Sequence, residues 1–138
     1  MAPGGRDDPL APPRPGPSAL GARLEAERRV VLFVPFPADQ ATLGPRAKPF
    51  LYRLLELLFD RPGLRLAIHG HAEAAAGAEA AQRLSLERAQ AIKDWLVKFG
   101  IPAPRLQAVG HGATQPLALA EADPGMGRIS RIEIVKDQ

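Results

Sequence analysis

Two stretches with helical spacing of apolar residues alternate with short strand-like segments over most of this chain, and this alternation limits the folds available to it. Residues 30–34 form a continuous apolar run, which is typical of a strand covered on both faces. A helix is then predicted to begin around Pro45 and to end at Arg61-Pro62-Gly63. Its apolar face comprises Ala47, Phe50, Leu51, Leu54, Leu55 and Leu58.

The second half of the chain continues the alternation. Leu64, Leu66 and Ile68 have the period of two expected for a strand. A second helix is predicted from about Glu79, with Gly100 ending it in a left-handed conformation. Two further strands are predicted at residues 106–109 and around residues 132–134. The order β-α-β-α-β-β predicts an α/β two-layer sandwich, in which two main helices pack on a mixed sheet. Strands joined through helices are expected to pair in parallel, and antiparallel pairing is open for the last two.

The first twenty residues differ in composition from the rest. They hold six of the fifteen prolines, without any period. We therefore expect residues 1–20 to form a proline-rich disordered tail or linker, and residues 21–138 to form a single domain. A short proline-rich ligand for another protein is the alternative for this tail.

Composition and charge exclude several classes of protein. The chain contains no cysteine, which excludes disulfide scaffolds and thiol catalysis. A net charge of +3 is too small for a nucleic-acid-binding surface, so no nucleic-acid partner is expected. The longest apolar run is far shorter than the roughly 18 residues that cross a bilayer, so membrane insertion is not expected either. The first residues do not have the pattern of an export signal.

One charged residue falls on a helix face that should contact the sheet. Arg88 lies four residues from both Leu84 and Ile92, and a buried guanidinium keeps its charge and needs an anion. Glu73, at the end of the second strand, is the nearest carboxylate by connectivity. The two groups would suit a zwitterion, with Glu73 for an ammonium group and Arg88 for a carboxylate. An internal salt bridge between them is the structural alternative.

Several segments of the sequence resemble a known family. Gly70-His71-Ala72-Glu73, followed by residues 84–89 (L-S-L-E-R-A), resembles the G-H-T-D … L-S-x-x-R-A signature of OmpA-like C-terminal peptidoglycan-binding domains (OmpA, Pal and MotB). Residues 100–106 resemble their G-I-P-x-x-R-L segment, and residues 131–134 resemble the end of their N-R-R-V-E-I strand. The similarity extends over about residues 30–136.

The resemblance implies non-covalent binding of the peptidoglycan stem peptide. In the family, the signature Asp and the helix Arg hold diaminopimelate, and the matching positions here are Glu73 and Arg88. Peptidoglycan is thus the expected partner, with envelope, secretion or motor proteins as further candidates. The expected location is the periplasm, at the outer membrane or cell wall, and no cofactor is expected. The predicted ligand-binding residues are Asp39, His71, Ala72, Glu73, Arg88 and Arg131.

Two alternatives to wall binding are open at this point. The chain contains no Asn, so every Asn of the family pattern is replaced. A degenerate module that has lost wall binding and serves protein–protein contacts in an envelope assembly therefore fits the sequence as well. His69 and His71, two apart on a strand, could also bind zinc together with Glu73 or His111. The sequence has no nucleophile or nucleotide-loop motif of the common enzymes, so we expect no catalytic activity.

Overall fold

The computed structural model describes residues 17–118, 121 and 127–137 of the 138-residue chain. Both predicted helices and all four predicted strands are present, and single 3₁₀ turns at Pro45–Ala47 and Ala103–Arg105 precede the second helix and the third strand. In chain order the elements are α1 (Pro17–Glu27), β1 (Arg29–Leu32), α2 (Lys48–Asp60), β2 (Leu66–His71), α3 (Ala78–Lys98), β3 (Leu106–Gly110) and β4 (Arg131–Lys136).

Helix α1 was not predicted from the sequence. The expected domain boundary at residue 21 falls inside this helix, while residues 1–16 of the expected tail lie outside the described residues. Leu20 and Leu24, one helical turn apart, are buried in the core. Two buried leucines are too few to give a periodic pattern, and the charged residues that follow them indicate a solvated lead-in when they are considered alone.

The sheet has the strand order β1-β4-β2-β3, which differs in part from the prediction. Strands β2 and β3 are parallel neighbours, as predicted. However, β4 lies between β1 and β2 and is antiparallel to both, so β1 and β2 are not paired and β4 does not pair with β3. The expectation for these pairings was wrong because the order of elements along the chain does not determine between which two strands the last strand is inserted.

All three helices contribute to one apolar core on a single face of the sheet, which confirms the two-layer architecture. Strand residues such as Val30, Ile68 and Ile134 are fully buried there. Strand β1 is an edge strand with an exposed Arg29 and a half-buried Val31 on its other face, so the expectation that both faces are covered was wrong. The buried residues of α2 and α3 that complete this core include Leu51, Leu54, Leu57, Leu58, Ala89, Ile92 and Leu96.

Two glycines allow α3 to approach the sheet closely. A Cβ atom at Gly70 would overlap the carbonyl oxygen of Ser85, and one at Gly110 would lie 2.7 Å from the backbone nitrogen of Leu86. Next to them, the backbone N–H of Gly112 donates to Ser85 Oγ at 2.8 Å. These contacts fix the start of α3 against the ends of β2 and β3, where the candidate site lies.

The other end of α3 has the predicted left-handed glycine. Gly100 has φ of +113°, and the N–H of Ile101 donates back to the carbonyl of Leu96 at 3.0 Å, as in a Schellman-type helix end. Nearby, Arg105 donates to the carbonyl oxygens of Leu58, Arg61 and Leu64 and so ties the chain before β3 to the end of α2. Within the described residues, no helix is both long and apolar enough to cross a membrane.

Candidate ligand-binding site

An open hollow of about 550 Å³ lies where β2 passes into α3. Glu73 is its one charged lining residue among the described residues, and the other lining residues are small. Because small side chains leave the backbone accessible, the hollow presents polar main-chain atoms beside one carboxylate. Its lining comprises Glu73, Ala74, Ala75, Gly77, Ala78, Ala81 and Ala113.

Arg88 is buried behind the loop that joins β1 to α2, with only 7% of its surface exposed. Its Nε donates to the carbonyl oxygen of Gln40 at 2.8 Å, and its Nη2 donates to that of Pro37 at 3.0 Å. The guanidinium also lies over the ring of Phe36, 4.8 Å from its centroid. The sequence led us to expect a carboxylate partner, but the observed acceptors are backbone carbonyl groups, and Arg88 is not among the residues that line the hollow.

The guanidinium of Arg88 has N–H groups beyond the two that bond to the loop. Burial lowers the pKa of its guanidinium, and the nearby carboxylate of Asp39 opposes that shift. An arginine has five N–H donors, and the two loop carbonyls occupy two of them. Three of its N–H donors remain beyond these two contacts.

Asp39 joins the two loops that border the site. It has φ of +56°, a left-handed conformation that Asp tolerates better than most residues, and its Oδ1 accepts a hydrogen bond from the backbone N–H of Ala75 at 3.3 Å. Ala75 is itself a lining residue of the hollow. Asp39, Glu73 and Arg88 thus come from three loops or helices that are joined at one end of the sheet.

The other predicted residues of the signature have different surroundings. Ala72 is fully buried, and its N–H donates to the carbonyl of Gly112 at 3.0 Å. Since Ile68 and Gly70 face the helices, His71 faces the opposite side of the sheet, beside Arg131 on the neighbouring strand. His71 and Arg131 are both buried and neither lines the hollow.

Arg131 and His71 belong to a charged cluster with Glu133 and His111. Arg131 donates to Glu133 Oε2 at 2.6 Å and to the carbonyl oxygens of Gln115, Arg128 and Ile129. The ring of His111 stacks on the rings of both His69 and His71, with centroids 4.8 Å apart in each case. This arrangement fixes the segment after β3 against the face of the sheet opposite the helices.

The imidazole of His71 is buried without a hydrogen bond. Neither ring nitrogen has a hydrogen-bond partner among the described residues, and Nε2 lies 3.6 Å from Glu133 Oε2. Burial, together with the positive charge of Arg131, lowers the pKa of His71 to about 4. The pKa of His69 is also lowered, first by burial and then by His111. His71 is therefore neutral at physiological pH.

The zinc alternative has little geometric support. His69 Nδ1 and His111 Nε2 are 2.6 Å apart, the distance of a hydrogen bond between two imidazoles. The residues that the structure describes contain no group of three or more His, Asp or Glu side chains placed to hold a metal ion.

Sequence reasoning missed the small residues that shape the hollow. Ala74, Ala75, Gly77 and Ala78 belong to the alanine-rich stretch between β2 and α3. The low side-chain volume of this stretch was the available indication, because a loop without large side chains beside a helix start leaves space. Gly77, with φ of +111°, adopts at that helix start a conformation that favours glycine.

Comparison with known protein families gives a consistent result. The model of the OmpA family matches residues 35–129. The chain is 31% identical over 127 residues to the peptidoglycan-binding protein ArfA of Mycobacterium bovis, covering 91% of this chain and 39% of that protein. It is 30% identical over 105 residues to outer membrane porin F of Pseudomonas fluorescens, covering 76% of this chain and 32% of that protein. The chain thus spans between about a third and two fifths of the length of these relatives.

Solved structures share the fold. A putative MotB like protein from Desulfovibrio vulgaris superposes with a TM-score of 0.66 at 27% identity, covering 80% of this chain and 73% of that chain. The cell wall anchor of the T6SS from Pseudomonas aeruginosa gives 0.63 at 24% identity, covering 91% of this chain and all of that one. Since the family model also matches well over half of the sequence, this chain belongs to the OmpA family.

Proposed function

We propose that this chain is a non-covalent peptidoglycan-binding module that holds a diaminopimelate residue of the stem peptide at the β2–α3 junction. In this role it would anchor an envelope protein or complex to the cell wall, in the periplasm. The observation that carries the proposal is the hollow itself, which presents the exposed carboxylate of Glu73 at the site where the family signature lies.

The charges at the junction suit this ligand. The side chain of diaminopimelate ends in an ammonium and a carboxylate group on one carbon. Glu73 would accept hydrogen bonds from the ammonium group, and the unused N–H groups of Arg88 would donate to the carboxylate. Asp39, bonded to the β2–α3 loop, holds the two loops together.

The relatives support the same ligand class. ArfA, which aligns with 91% of this chain, is named as a peptidoglycan-binding protein, and a structural neighbour is described as a cell wall anchor. The proposed role is binding without cleavage of any bond. The partners of a longer protein containing this domain, such as secretion or motor components, belong to the proposal too.

One observation favours the degenerate module as a second candidate. Two donors of Arg88 already hold the β1–α2 loop through Gln40 and Pro37, so the arginine has a structural role that persists without any ligand. A chain that has lost wall binding would keep Arg88 for that reason alone.

Co-sedimentation with purified sacculi distinguishes the two candidates. We expect the wild-type chain to pellet with diaminopimelate-containing sacculi and Glu73→Gln to lose about 10- to 100-fold in affinity, the equivalent of one charge-assisted hydrogen bond. Glu79→Gln, which removes an exposed acid from the first turn of α3, is the matched control and should bind as the wild type does. Failure of the folded wild-type chain to pellet would support the degenerate module.

A further inference from the structure

All three histidines of the chain lie together on the face of the sheet opposite the helices, and we call them the histidine cluster. The ring of His111, in the segment after β3, stacks on the rings of His69 and His71 of β2. His69 Nδ1 and His111 Nε2 are 2.6 Å apart, so one of these nitrogens carries a proton and the other accepts the hydrogen bond. If both nitrogens were protonated, two N–H groups would point at each other across this short distance.

The surroundings of the histidine cluster do not compensate an added positive charge. Among the described residues, Glu133 of β4 is the carboxylate that acts on the two histidines of β2. Its Oε2 already accepts a hydrogen bond from Arg131 at 2.6 Å, and its Oε1 lies 3.4 Å from Nε of Arg29 on β1. From α3, Gln82 and Ser85 bond to the end of β3 and to the segment after it, and neither side chain titrates. A further proton on the cluster therefore adds positive charge beside two arginines that share one carboxylate.

Burial makes the closed arrangement of the histidine cluster a poor acceptor of protons. Neither ring nitrogen of His71 has a hydrogen-bond partner among the described residues, and burial lowers its pKa to about 4. Burial is also the first cause that lowers the pKa of His69. If His111 leaves the sheet, both rings of β2 lose their cover, and a solvated imidazole has a pKa of about 6.5. An open arrangement therefore takes up protons that the closed one does not.

The segment after β3 connects the histidine cluster to the hollow. Gly112 follows His111 directly. Its carbonyl oxygen accepts a hydrogen bond at 3.0 Å from the N–H of Ala72, the residue before Glu73. Ala113, the next residue along the chain, lines the hollow together with Glu73. A displacement of His111 from the sheet is therefore transmitted within two residues to one wall of the hollow.

We propose that protonation of the histidine cluster releases residues 111–114 from the sheet and thereby weakens ligand binding in the hollow. Near neutral pH, the stacked rings hold this segment in place and fix the wall of the hollow. In weak acid, proton uptake by the open arrangement shifts the population toward it. The far end of the segment stays attached, because Arg131 donates to the carbonyl oxygen of Gln115 at 2.9 Å. The effect on the ligand rests on the proposed peptidoglycan binding, whereas the release of the segment does not.

Amide hydrogen exchange of the ligand-free chain measures the release. The N–H groups of His111 and Gly112 are bonded to the carbonyl oxygen of Gly70 at 2.9 Å and to Ser85 Oγ at 2.8 Å. Their protection factors, corrected for the pH dependence of intrinsic exchange, should fall at least about 10-fold between pH 7 and pH 5. Urea at about 1 M should leave both protection factors unchanged, because a local release exposes little surface. The amide of Ile92, inside α3, reports global unfolding and should lose protection in urea.

A variant without titrating side chains on β2 identifies the groups responsible. When His69→Gln and His71→Gln are combined, the protection of Gly112 should change less than about 3-fold between pH 7 and pH 5. Glu87→Gln, at an exposed position of α3, is the control and should keep the wild-type dependence. His69→Gln alone, at a half-buried position, replaces the double variant if circular dichroism shows that the latter does not fold, and it should reduce the pH dependence in part.

Co-sedimentation with purified sacculi at pH 7.5 and pH 5.5 tests the connection to the hollow. The affinity of the wild type should be about 3- to 10-fold lower at pH 5.5, and that of the double variant should be nearly the same at both pH values.

Three results would overturn the proposal, each at a different step. Protection of His111 and Gly112 that is independent of pH, or equally dependent on it in the double variant, excludes the release by histidine protonation. Release in acid together with pH-independent binding excludes the connection to the hollow. If the wild type binds sacculi at neither pH while its exchange depends on pH, the proposed function fails and the release of the segment stands.

Discussion

Arg88 Nε donates a hydrogen bond to the carbonyl oxygen of Gln40 at 2.8 Å, although the two residues are 48 positions apart in the chain. Together with the bond from Nη2 to Pro37, this contact holds the β1–α2 loop against α3 beside the hollow. Arg88 therefore supports the loop that borders the site. Stability and ligand binding should respond differently to changes at Arg88 and at Glu73, which makes their separate roles measurable.

Arg88→Ala should lower the free energy of unfolding by about 2–4 kcal/mol, because it removes two charge-assisted hydrogen bonds together with the packing of a buried side chain. Urea denaturation followed by circular dichroism measures this loss. Arg83→Ala, on an exposed position of the same helix, is the control and should have little effect. A stability of Arg88→Ala equal to that of the wild type would contradict the structural role.

Glu73→Ala should leave the melting temperature close to that of the wild type, since the side chain is exposed and borders open space. Its affinity for sacculi should fall as strongly as that of Glu73→Gln, because both lack the carboxylate. A variant that melts much lower than the wild type would show that Glu73 has a structural partner, and its binding data would then carry no information on the ligand contact.

The buried His71 predicts a loss of stability in weak acid. Its folded-state pKa of about 4 lies below the usual value of 6.5, so the unfolded chain takes up the proton first. The contribution of neutral His71 to the free energy of unfolding is fully present above pH 6.5 and decreases as the pH falls towards 4. The free energy of unfolding should decrease by about 2 kcal/mol between pH 7 and pH 5. Denaturation curves at several pH values measure the slope.

His71→Gln is the corresponding variant, because an amide does not titrate in this range. We expect its free energy of unfolding to be lower than that of the wild type at pH 7 but less dependent on pH between 7 and 5. An unchanged slope would assign the pH dependence to other groups, of which His69, with its lowered pKa, is the first to examine.

Gly70→Ala should lower the free energy of unfolding by at least about 1–3 kcal/mol. The Cβ atom of the new alanine would overlap the carbonyl oxygen of Ser85 and force α3 away from the sheet. Gly63→Ala is the matched control, since a Cβ atom there meets no other atom within 4 Å. Thermal melts of the two variants give the comparison. Equal melting temperatures would mean that α3 can shift without cost.

The local elements could be predicted because their information is contained in neighbouring residues. The apolar spacing of α2 and α3 and the left-handed glycine at Gly100 are visible in windows of a few residues. Helix α1 escaped prediction because its stability comes from Leu20 and Leu24 packing on the core, a tertiary contribution that two residues do not reveal. The insertion of β4 between β1 and β2 escaped for a similar reason, since pairing of distant strands is decided by the whole sheet.

The sequence by itself determined the α/β class, the family resemblance and the presence of an acidic residue and a buried arginine near one strand end. These follow from periodicity and motif spacing, which are local properties of the chain. Only the tertiary structure decided that Arg88 bonds to loop carbonyls, that Glu73 borders an open hollow, and that His71 lies on the opposite side of the sheet. The reason is that the partners of a buried polar group are chosen by the packing of distant segments, which no short stretch of sequence encodes.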